Sequence, residues 1–65
     1  MSRVEAIEEA AIAEKVEFYR KEVQRLLALA AASTVEDAKA QFLLLAHQYE
    51  KLAGHTAERA RRLRS

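Results

Sequence analysis

The sequence predicts an all-α fold, an antiparallel two-helix hairpin, and three observations carry that prediction. Its 65 residues include no proline and one glycine, Gly54, and Ala, Leu, Glu, Lys, Arg and Gln, the residues that cost a helix least, supply most of the rest. Apolar residues recur about every 3.5 positions in both halves, the spacing of one packed helical face. A single stretch, Ala32-Ser33-Thr34-Val35-Glu36-Asp37, is built to interrupt a helix. A β protein of this length would need turn residues every 8–12 positions or so, and they are missing.

The first helix is expected over 3–31. Its stripe is Ile12, Val16, Tyr19, Val23, Leu26 and Ala30, spaced alternately by four and three. Extended backwards, the same register would reach Glu9 and Glu5, so the apolar stripe is expected to shift to Val4, Ile7 and Ala11 near the amino end. The turn falls at 32–34. Ser33 followed by Glu36, or Thr34 followed by Asp37, fits a capping box, in which a hydroxyl accepts from an early helical N–H and the acid reaches back to the cap. The second helix follows over 35–63, with the stripe Val35, Ala38, Phe42, Leu45, Tyr49, Leu52, Thr56, Arg59 and Leu63. So short a connection forces the two helices antiparallel. Across the turn, Val23 and Leu26 then meet Phe42, Tyr19 meets Leu45 and Tyr49, and Ile12 meets Leu52 and Thr56.

A chain of this length is one domain, and a core this small usually needs reinforcement. Cysteine is absent, which removes disulfides and thiolate zinc sites. Self-association is the remaining device. Apolar residues are left over once the hairpin seam is filled: Phe18 and Leu29 share a second stripe of the first helix, and Leu43 and Leu44 widen the apolar arc of the second. Ala46, Ala53 and Ala60 flank the second seam and allow a further helix to come close. A homodimeric four-helix bundle is therefore expected, with Phe18, Leu29, Leu43, Leu44, Ala46 and Ala53 at the oligomer or partner interface.

Charge and motifs exclude more than they assign. Lys and Arg number 11 against 10 Asp and Glu, so no overall excess calls for an anionic partner. Arg59, Arg61, Arg62 and Arg64 make the carboxyl end basic and are the candidate nucleic-acid contact. In an antiparallel hairpin, however, that end lies beside Glu5, Glu8 and Glu9. Acidic residues at a helix N-terminus and basic ones at a C-terminus also suit the helix dipole, and no aromatic residue interleaves the arginines as single-strand binding favours. Nucleic acid is thus the lesser alternative.

His47 and His55, eight residues apart, lack the i, i+4 spacing of a helical metal site and are expected on the surface. Tyr19 and Tyr49 are expected to face one another in the core. Gly54 is read as tolerated or as a packing residue, rather than as a hinge. There is no glycine-rich phosphate loop, nucleophile elbow, Cys/His pair or HExxH, so no catalytic residue, metal or cofactor is expected and the chain is not read as an enzyme. Acidic residues interrupt the amino end where a signal peptide would need apolar ones, and no apolar run approaches the ~20 residues of a membrane span. A soluble, cytoplasmic protein is the expectation.

Four segments, Phe18-Tyr19-Arg20, Arg25-Leu26-Leu27-Ala28, Phe42-Leu43-Leu44-Leu45-Ala46 and Tyr49-Glu50-Lys51-Leu52-Ala53, together resemble a group of short alphaproteobacterial helical-hairpin proteins of unassigned function. Their pattern runs YR…RxLA…FLxLAxxYExLA, and the resemblance spans Phe18 to Glu58. It implies a helical hairpin without implying an activity. The sequence departs from the group in carrying Glu22 where small residues are frequent, and in lacking the cysteine that some members have.

Overall fold

Two helices account for nearly all of the chain. The computed structural model describes residues 3–64, and side chains as far as residue 63. Helix α1 runs Arg3–Ala32 and helix α2 runs Glu36–Arg64, packed antiparallel along their length. Thirty residues at 1.5 Å rise make α1 about 45 Å long, which accounts for a particle whose Cα extents are 51 × 14 × 10 Å.

The connection is Ser33-Thr34-Val35, one residue later than the sequence suggested. The Ser33 N–H donates to the Ala30 carbonyl at 3.3 Å and closes α1, while the Lys39 N–H donates to the Val35 carbonyl at 2.9 Å and opens α2. Val35 therefore sits at the N-cap. Neither of the two caps the sequence offers, Ser33 or Thr34, takes that place; the Ser33 hydroxyl instead donates to the Val35 carbonyl at 3.2 Å, which tightens the turn. Glu36 and Asp37 lie in the first turn of α2, where acidic groups complement the helix dipole.

On α1 the expected stripe is the inward stripe. Ile12, Val16 and Tyr19 are half-buried and Val23, Leu26 and Ala30 are buried, so the core tightens toward the turn. The stripe does not rotate at the amino end as expected. Val4 and Ile7 remain exposed, and Glu9 is the half-buried residue there, so the original three-four register continues through a polar residue.

On α2 half of the expected stripe is replaced. Phe42, Tyr49 and Thr56 face α1 as expected, but Leu45, Leu52 and Arg59 are exposed and their neighbours Ala46, Ala53 and Ala60 take the inward positions. Leu63 and Val35 are exposed as well. Bulk explains the exchange. Helix α1 presents Tyr19, Val23 and Leu26 along its seam, and the close-packed complement of a large stripe is a small one. The central cluster is accordingly Val23, Leu26 and Ala46, with Phe42 and Tyr49 packed against it. Ala46 and Ala53, expected to admit a helix from outside, instead admit α1 of the same chain.

Candidate interaction faces

The rings of Tyr19 and Tyr49 meet across the seam, centroids 5.9 Å apart and planes tilted by 39°. Phe18 packs edge-on against Tyr19 at 5.9 Å and 62° but remains 55% exposed. It sits at the edge of the core, with Tyr19 as the ring it packs on.

Helical geometry sorts the exposed residues onto distinct faces of the hairpin. Near the open end a small groove of about 190 Å³ is lined by Glu8, Ala11, Ile12 and Lys15 of α1 and by Arg59 and Leu63 of α2. Ala11 and Leu63 therefore lie on the same side. Eighteen residues are five full turns, which places Leu29 directly above Ala11 and Leu45 directly above Leu63 on that side. Phe18 and Leu52 each lie eleven residues before Leu29 and Leu63, only about 20° off those lines. One face of the hairpin thus carries apolar side chains from both helices and from end to end. The charges set into it are balanced: Glu22 accepts from Arg25, with Nη2 at 2.7 Å and Nε at 2.8 Å from the same carboxylate oxygen.

The opposite face is more polar. There a larger groove of about 580 Å³ opens where Ala57 and Ala60 lie across from Ile12 and Val16, and Glu9, Glu17, Arg20 and Arg61 form its rim. Leu43, eighteen residues before Arg61, lies on this side, and Leu44 points 100° further round, to the back of α2. The interface residues expected from sequence therefore separate. Phe18 and Leu29 share one face, Leu43 lies on the other, Leu44 is on the back, and Ala46 and Ala53 are internal. Leu45 and Leu52, assigned to the core by their spacing, join Phe18 and Leu29 outside.

Arg59, Arg61 and Arg62 are exposed at the open end, while the Arg64 side chain lies outside the described residues. Arg59 shares a groove with Glu8, and Arg61 shares one with Glu9 and Glu17. None of Glu5, Glu9, Arg61 and Arg62 is left without a partner. The antiparallel fold thus brings the basic end onto the acidic one. His47 and His55 are both exposed, and among the described residues no three His, Cys, Asp or Glu side chains are grouped to hold a metal ion. No helix among them is long and apolar enough to cross a membrane. Compared with protein-family models, with curated proteins and with solved structures, the chain matches none.

Proposed function

We propose that this chain is a structural or protein–protein interaction module that works as a homodimer, two hairpins forming a four-helix bundle. One observation carries the reading. Among the described residues eleven large apolar side chains are exposed, whereas only Val23 and Leu26 of that size are buried. A hairpin with so thin an interior gains more from covering its outside than from anything within it. A cytoplasmic location, expected from the sequence, is part of the same proposal.

Nucleic-acid binding through Arg59, Arg61 and Arg62 has less support, because acidic side chains share their grooves. Such binding would be strongest at low salt, so the absence of a gel shift with DNA or RNA at low ionic strength is the expected result.

The proposal is tested by light scattering on a sizing column over a range of concentrations. The expected mass is twice the 7.4 kDa of one chain. A well-folded species of 7.4 kDa at every concentration overturns the homodimer, and one that also binds no dye for exposed apolar surface overturns the interaction module as well.

A further inference from the structure

We infer that the face carrying Phe18, Leu29, Leu45, Leu52 and Leu63 is the surface on which a second copy of this chain seats, the same face on both partners. The inference rests on the homodimer reading above and goes beyond it by choosing the surface.

Area is the first argument. The hairpin exposes 5254 Å², whereas a compact globular chain of 7.4 kDa exposes about 4,200 Å². The excess of about 1,000 Å² is close to what one partner contributes to a standard interface, about 800 Å². One long face of a particle 51 Å by 14 Å is large enough to hold it.

Charge is the second. A chain with a formal net charge of +1 meets almost no net repulsion from its own copy. On the chosen face Glu22 is neutralised by Arg25 of the same helix, and Glu8 and Lys15 border the same groove as Arg59. A strongly acidic or basic partner would find no complementary field there, whereas a second copy brings the same balanced one.

Shape is the third. Phe18 lies level with Tyr19, at mid-length, packs on that ring and remains 55% exposed. Leu52, one turn beyond the Tyr49 that Tyr19 meets, stands at mid-length of α2 on the same face. Two such faces laid together place the partners' Phe18 and Leu52 side chains around the middle of the contact, where a symmetric interface gathers its anchoring residues.

The test uses the full chain with one substitution at a time. Leu52→Glu sets a carboxylate into each side of the proposed contact, and its effect counts twice by symmetry. It is expected to weaken dimerisation by more than about 100-fold while helicity by circular dichroism is retained. Leu44→Glu, on the back of α2, is expected to leave the dimer as it is. Because the chain has no cysteine, Leu52→Cys and Leu44→Cys give a readout that does not depend on tolerating a charge. The first should cross-link to its own copy with a short thiol-specific reagent, and the second should not. A dimer that survives Leu52→Glu but is broken by Leu44→Glu, or that cross-links through position 44 instead of 52, overturns this assignment and leaves the homodimer standing. A wild-type chain that stays monomeric overturns both.

Discussion

Tyr19 and Tyr49 hold the middle of the hairpin, ring against ring at 5.9 Å, each on the one position per turn that faces the other helix. Because the helices are antiparallel and joined by three residues, this pair also sets the register. Sliding α2 by one turn in either direction would replace the tyrosine with a small residue, Ala53 or Ala46. Aromatic pairs at such a separation add about 0.5–1.5 kcal/mol beyond the area they bury.

A double-mutant cycle measures that contribution. Tyr19→Ala and Tyr49→Ala should each destabilise the hairpin by about 1–3 kcal/mol, less than a fully buried aromatic because both rings are half-buried. The double substitution should cost less than the sum, by a coupling within the aromatic-pair range. Urea unfolding at one fixed protein concentration is the appropriate measurement, since association and folding are linked here. A coupling near zero would mean that the rings merely share a neighbourhood.

The alanines of α2 give a sharper contrast. Ala46 is 2% exposed and packs on Val23 and Leu26. Ala46→Leu therefore forces a large side chain against the large stripe of α1 and should cost about 1–3 kcal/mol. Leu44→Gln, only two positions away but 58% exposed, should change stability by no more than about 0.5 kcal/mol. If the two substitutions behaved alike in thermal unfolding, the inward stripe would not run through Ala46.

That contrast also shows what the sequence made legible. The inward face of α1 could be read from spacing alone, because Ile12, Val16, Tyr19, Val23, Leu26 and Ala30 form its one long apolar stripe. Helix α2 offers two stripes. Phe42 to Ala46 is continuously apolar, so either Leu45 and Leu52 or Ala46 and Ala53 can alternate with Phe42 and Tyr49 at spacings of three and four. Hydrophobicity favours the leucines and close packing favours the alanines. The choice is made by the bulk of α1 across the seam, which a one-helix pattern does not contain. The exposed face is legible only in part for the same reason: Phe18 and Leu29 stand out as surplus, while the spacing of Leu45 and Leu52 reads as core.

Gly54 yields a prediction of opposite sign. A Cβ built there meets nothing within 4 Å, and its backbone has no positive φ, so neither close approach nor special conformation calls for glycine. Gly54→Ala should stabilise the protein by about 0.5–1 kcal/mol, by restricting the unfolded chain and favouring the helix. The thermal midpoint should rise. A fall would show that something outside the chain, such as a partner helix, comes close at that position.

The ion pair of Glu22 and Arg25 is well formed, yet Arg25 is 60% exposed. Exposed pairs contribute about 0–1 kcal/mol and are screened by salt. Arg25→Gln should therefore cost under about 1 kcal/mol in low salt, and the difference from wild type should shrink in 1 M NaCl. A loss that salt leaves untouched would point to burial of Glu22 rather than to the pair.

Hydrogen exchange should be graded along the hairpin. Buried side chains concentrate between Val23 and Ala30 on α1 and around Ala46 on α2, whereas Val4 and Ile7 lie exposed and Ala57 and Ala60 leave a groove where a bulkier seam would close. Local opening requires breaking only the contacts of the segment that opens. Amides of residues 4–11 should therefore exchange through fraying, well before those of residues 22–30, whose exchange should require unfolding of the whole hairpin. Protection would be uniform if the carboxylates and arginines at the open end held it as firmly as apolar packing holds the other. Exposed ion pairs are too weak for that. Raising the salt should speed exchange at the open end and leave the turn end unchanged.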